Sequence, residues 1–177
     1  DVVEPTNLQS QHLYTQEDIN KPKTESIKTH LKKINPDINL NLIFDHLNFE
    51  NINIEENIII DCTDNLETRF LLNEYTLKNN KTLIHASCIR NQGNIYIITK
   101  DRPCLQCFLK EANLETCQSA GVLNTIPTLI SSLAVSETIK IITNKPFEKN
   151  LININLETNE FTKIKVNKNE NCPSKNY

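Results

Sequence analysis

The sequence predicts an α/β fold: a Rossmann-like, mostly parallel sheet with a C-terminal antiparallel hairpin. Three observations predict it. Asn57 to Cys62 (NIIIDC) is a β-branched run that suits a buried parallel strand and leads straight into a turn and a helix. A second run, Lys81 to Ser87, follows that helix after a short connection, which is the strand–helix–strand order of a parallel unit. Near the C-terminus, Ile152, Ile154 and Leu156 alternate with asparagines, and Thr162, Ile164 and Val166 alternate with lysines, so two strands joined at Glu157 to Glu160 form a hairpin. A single domain over residues 1–177 is the expected organisation.

From the start of the chain, Asp1 to Lys21 is polar and turn-rich and reads as a long surface loop. Lys23 to Ile34 is helical, with Ile27, Leu31 and Ile34 on one stripe, and Asn35-Pro36-Asp37 stops it. Ile38, Leu40 and Leu42 alternate with Asn39 and Asn41, predicting a short strand up to Phe44. After the NIIIDC strand, Asp64 or Asn65 caps a helix whose stripe carries Leu66, Phe70 and Leu77. Gly93 to Thr99 is another strand. Pro127 fits the first turn of a helix reaching about Thr143, with Ile126, Leu129, Ile130, Leu133 and Ile141 facing the core.

Bulk properties narrow the function. The formal charge of −3 comes without a basic stripe, so nucleic acid is not the expected partner. The longest apolar runs, Ile58–Ile60 and Ile95–Ile98, are too short for a bilayer, and no signal peptide opens the chain, so a cytoplasmic protein without a membrane is expected. The chain has no methionine, which implies a processed or partial sequence, and two glycines, which exclude a Gly-rich phosphate loop within it. The six cysteines read as free thiols, metal ligands or a nucleophile rather than a disulfide framework.

Four features could carry chemistry. IIIDCTDN ends a strand where α/β sheets bind ligands, so Asp61 and Asp64 either hold a magnesium ion or cap the next helix. Asn7, Gln9 and Lys23 lie in polar sequence of the kind that surrounds ribose and phosphates, or that simply faces water. Cys104 and Cys107 have the spacing of half a zinc site, Cys172 offers a third thiol, and Lys175 stands where a fourth would complete the tetrahedron. Cys117 lies close to a helix N-terminus, where a thiolate gains stability; the plainer reading is a half-buried small residue.

Together, and in this order, the segments resemble the ThiF/MoeB family of adenylyltransferases, to which the ubiquitin-activating enzymes are related. DVVEPTNLQSQHLYTQEDINKPK is similar to the family's nucleotide loop; DCTDN with TRFLLN, the CxxC, TCQSAGV and the late CP follow it. LYTQEDINKPK and CPS look closer to ThiF than to MoeB. The resemblance implies a nucleotidyltransferase that activates the C-terminal glycine carboxylate of a ThiS-like sulfur-carrier protein with ATP, in thiazole and thiamine biosynthesis, as a homodimer. The alternatives are the MoeB reaction on the molybdopterin-synthase carrier and a non-catalytic carrier-binding relic. It further implies that Thr6, Asn7, Gln9 and Asn65 lie around the nucleotide and that Lys23 contacts phosphates. Asp64 would coordinate Mg²⁺, Cys104, Cys107 and Cys172 would bind Zn²⁺, and Cys117 would join the carrier through an acyl disulfide. Two positions depart from the family pattern: Ser10 replaces an arginine and Lys175 the fourth zinc cysteine. The resemblance also implies that the N-terminal βαβ portion of the α/β fold is missing from this segment, so the segment alone is expected to be inactive, its sheet lacking a first strand.

Overall fold

The computed structural model describes residues 1–109 and 120–176. Two compact units make up the chain, Asp1–His46 and Leu47–Tyr177.

In the first unit, the long surface loop expected over residues 1–21 is folded on itself. Val3 N–H donates to Lys21 C=O and Asn20 N–H to Val3 C=O, both at 2.9 Å, closing residues 3–21 into a ring. Two 3-10 turns, Pro5–Asn7 and Gln16–Asp18, lie inside it. Val3, Tyr14 and Asp18 are buried. Asp18 organises the second turn: its carboxylate accepts from Thr15 N–H (2.8 Å) and Thr15 Oγ1 (2.9 Å) and meets His30 Nε2 at 2.8 Å. The Thr15 amide, followed by the His30 contact, holds its pKa at about 2. Helix α1, Lys23–Ile34, has the expected bounds, and Lys32 Nζ donates to the Pro36 carbonyl just past its end.

The strand expected up to Phe44 does not form; residues 38–44 are irregular, with Ile43 and Phe44 exposed. An alternating pattern only suits a segment to a sheet. No described strand lies beside this one to take its N–H and C=O groups.

The second unit holds a five-stranded sheet in the order β1-β2-β3-β4-β5. These are β1 Ile58–Asp61, β2 Thr82–Ile89, β3 Gln92–Ile98, β4 Leu151–Asn155 and β5 Glu160–Ile164. Helix α2, Leu66–Lys78, links β1 to β2, which pair in parallel with Asp61 opposite His85. The remaining pairs are antiparallel: β2 returns into β3 through Arg90-Asn91, β3 pairs with β4, and β4–β5 is the expected hairpin. The α/β class therefore stands as read, with β1–β2 as its parallel pair.

Strand alternation divides the core between the two faces of the sheet. On one face Ile59, Leu83, Tyr96, Ile98 and Leu151 pack with Leu72 and Leu77 of α2 and with Cys104, Leu105 and Cys172. On the other, Ile84, Ile95, Ile97 and Ile154 meet Ile126, Ile130 and Ala134 of helix α3, Thr125–Ile142. Leu129, Leu133 and Ile141 flank that contact half-buried, while Val135, Ile139 and Ile142 are exposed. By length and composition α3 could cross a bilayer, contrary to the expectation from short apolar runs. Its packing on β2 and β3 makes it a covering helix of the sheet. Gly93 permits the close approach, since a Cβ there would lie 2.4 Å from Ile130 Cγ1.

Candidate functional site

The C-terminal tip of β1 carries the first constellation. Alternation turns Asp61 and its ladder partner His85 toward the α2 face, where both are buried. Oδ1 of Asp61 accepts from Thr63 N–H (2.9 Å) and Thr63 Oγ1 (2.7 Å), an Asx turn that bends the chain out of the strand. Oδ2 meets His85 Nδ1 at 2.9 Å, with Arg69 Nε 3.8 Å away. The Arg69 guanidinium also donates to the Thr63 carbonyl, from Nε at 3.2 Å and from its terminal nitrogen. Burial pushes the Asp61 carboxyl up, but the His85 hydrogen bond and charge, helped by Thr63, outweigh it and leave the pKa below the usual carboxylate range.

Asp64 follows directly and is exposed beyond the strand tip. Neither acid caps the helix. Asn65 does, its Oδ1 accepting from Thr68 N–H at 2.8 Å. Of the two acids, Asp61 is committed internally and Asp64 alone is free of the core. An exposed carboxylate at the carboxyl end of a parallel strand suits Mg²⁺, which takes one or two protein carboxylates and leaves its other positions to water and phosphate.

The first unit gathers Thr6, Asn7 and Gln9 along one turn. Thr6 Oγ1 donates to Glu4 Oε2 at 3.3 Å, and Asn7 Oδ1 accepts from Glu4 N–H at 3.0 Å. Lys23 opens α1, and its ammonium pairs with the Asp1 carboxylate.

Three thiols converge in the second unit. Cys104 Sγ lies 3.9 Å from Cys107 Sγ and 3.4 Å from Cys172 Sγ, and all three sulfurs fall within 4.8 Å of one another. Thiolates on a tetrahedral zinc, each about 2.3 Å from the metal, would sit about 3.8 Å apart, so the donor set fits zinc with one position unfilled. Burial, then the neighbouring Cys104, pushes the Cys172 thiol up to about 12. Burial also raises Cys107, but backbone amides of Asn169 and Cys104 bring it below the ordinary thiol value.

Asn73 of α2, fully buried, ties the two cysteine segments together. Its Oδ1 accepts from Leu105 N–H at 3.0 Å, and its Nδ2 donates to Ser174 Oγ at 3.4 Å; Ser174 in turn donates to Gln106 Oε1. Cys117 lies outside the described residues.

His85, Thr63, Arg69 and Asn73 escape a reading of spacing alone. The available signals were a histidine inside the apolar run TLIHASCI and an asparagine on the apolar face of a helix. Their partners lie 24 and 32 residues away, for Asp61–His85 and Asn73–Leu105.

Within the second unit, the β1 tip presents an exposed carboxylate, and three thiols gather on the face of the sheet that α2 covers. The ThiF family model matches residues 1–174, and the chain belongs to that family. It is 29% identical to the sulfur carrier protein ThiS adenylyltransferase of Bacillus subtilis, an alignment covering 98% of this chain and 55% of that protein. It is 31% identical to the molybdopterin-synthase adenylyltransferase of Escherichia coli, covering 97% of this chain and 73% of the relative. The chain thus spans about half the length of the first of these. Among solved structures, E. coli MccB superposes with a TM-score of 0.84 at 21% identity, over 98% of this chain and 56% of MccB, a likeness of fold.

Proposed function

We propose that this chain forms most of the adenylation domain of an ATP-dependent adenylyltransferase that activates the C-terminal glycine carboxylate of a ThiS-like sulfur carrier. The observation that carries it is the family match over residues 1–174, and an exposed Asp64 at the tip of a parallel strand accords with it. The reaction joins a weak carboxylate nucleophile to the α-phosphorus and expels pyrophosphate, so its main demand is neutralisation of charge. Magnesium would supply part of that charge, and Asp64 is the residue to hold it. Lys23 would exchange its Asp1 partner for phosphate oxygens; Thr6, Asn7, Gln9 and Asn65 would line the nucleotide. Cys104, Cys107 and Cys172 would hold a structural zinc, and Cys117 would provide the thiol for the later sulfur-transfer stage. A homodimer in the cytoplasm, where thiols stay reduced, is the setting that accords with this reading.

The second reading, activation of the molybdopterin-synthase carrier, is favoured by the 31% identity to the E. coli enzyme over most of its length. ATP–pyrophosphate exchange by the full-length protein with each purified carrier separates them. Exchange with the ThiS-like carrier, lost in Asp64→Ala, is the expected result. Exchange with the molybdopterin carrier alone would establish the second reading, and a full-length protein that binds no ATP in the presence of Mg²⁺ would leave a carrier-binding relic.

A further inference from the structure

Resting on the proposed magnesium role of Asp64, we infer that His85 is a positioning residue. Acting through Asp61, it fixes the 61–65 turn and with it the direction of the Asp64 carboxylate. The residues on either side of Asp64 are both pinned. Thr63 is held at its amide, its hydroxyl and its carbonyl, by Asp61 and Arg69, and Asn65 is held as the cap of α2. That grip depends on the orientation of one carboxylate. Asp61 spends Oδ1 entirely on Thr63, and what holds Oδ2 at hydrogen-bond distance is His85 Nδ1; Arg69 Nε stands farther off at 3.8 Å. Removing the His85 donor leaves a buried carboxylate free to turn toward Arg69, taking the Thr63 amide with it. A merely space-filling histidine would need no donor on Nδ1, and the ladder position opposite Asp61 would accept any side chain of its size.

Size and donor placement can therefore be separated. In His85→Asn the amide nitrogen superposes on Nδ1; in His85→Gln it falls nearer to Nε2, although the volume is closer to that of histidine. Hydrogen–deuterium exchange across residues 58–66 of the full-length protein reads the turn directly, and protection of β3 confirms folding of each variant. Exchange of the Thr63 amide should rise about tenfold in His85→Gln and His85→Ala and stay within about twofold of wild type in His85→Asn. The Mg²⁺ concentration for half-maximal ATP–pyrophosphate exchange should rise in the same order, by about 10- to 100-fold for the two impaired variants, as removal of a ligand-orienting partner does elsewhere. Wild-type Thr63 exchange in His85→Gln, or Asn and Gln variants that behave alike, would overturn the inference. A wild-type protein that catalyses no pyrophosphate exchange would sink the adenylation reading alone, while the Thr63 rates still decide what His85 does.

Discussion

Gly93→Ala tests how tightly α3 is seated on the sheet. The added Cβ would lie 2.4 Å from Ile130 Cγ1, 2.6 Å from Ile130 Cδ1 and 3.1 Å from Ile126 Cγ1. Ordinary carbon contacts are about 3.5–4.0 Å, so the helix must lift by about 1 Å or Ile130 must leave its rotamer. Neither is easy, because Ile126 and Ile130 are buried against Ile84, Ile95 and Ile97. Overpacking of this kind costs about 1–3 kcal/mol. Gly93 has no positive φ, so alanine also removes chain entropy from the unfolded state, an offset of about 0.4–1 kcal/mol. The net expectation is a loss of about 1–2 kcal/mol, read as a fall in the urea midpoint on the order of 0.5–1 M. Ile130→Ala removes both of the nearest clashing atoms. In that background Gly93→Ala should cost little, giving a coupling above about 1 kcal/mol in a double-mutant cycle. Full stability of the single mutant, or additivity within about 0.5 kcal/mol, would refute the close-approach argument.

Other expectations are independent of that one. Asn65→Ala removes the cap of α2 and should destabilise the protein by about 1 kcal/mol in thermal or urea unfolding, because Thr68 N–H loses its acceptor. Asp18→Asn should be destabilising above about pH 4, since the folded carboxyl titrates at about 2 rather than its ordinary 3.8. That difference should shrink as pH falls through about 2, where the native carboxylate is protonated in turn. Native mass spectrometry should find one zinc per chain, lost in Cys104→Ser and weakened in Asn73→Leu, which unhooks Leu105 N–H and Ser174. Unchanged metal content in Cys104→Ser would remove the thiol trio as its site.

Much of the fold was legible because it rests on local period. The bounds of α1, the α2 helix after DCTDN and the β4–β5 hairpin all follow from spacing that the backbone imposes on whichever face is buried. The exception is instructive. Residues 38–44 carry the alternation of a strand and remain irregular, since pairing needs a neighbour that period cannot supply. At the candidate site, residue chemistry alone left Asp61 and Asp64 as alternatives, each a metal ligand or a cap, and the resemblance singled out Asp64. Folding divides them: Asp61 inward to His85, Asn65 to Thr68, and Asp64 to solvent.

The sequence by itself determined the α/β class, the family and most of the helices and strands, because these reside in residue type and short-range spacing. Only the tertiary structure decided that β2–β3 and β3–β4 run antiparallel, that the sulfurs of Cys104, Cys107 and Cys172 lie within 4.8 Å of one another, and that His85 stands opposite Asp61. Those facts depend on strand register and on which face a helix covers. They are settled by burial of the whole sheet, a quantity that no window of the chain contains.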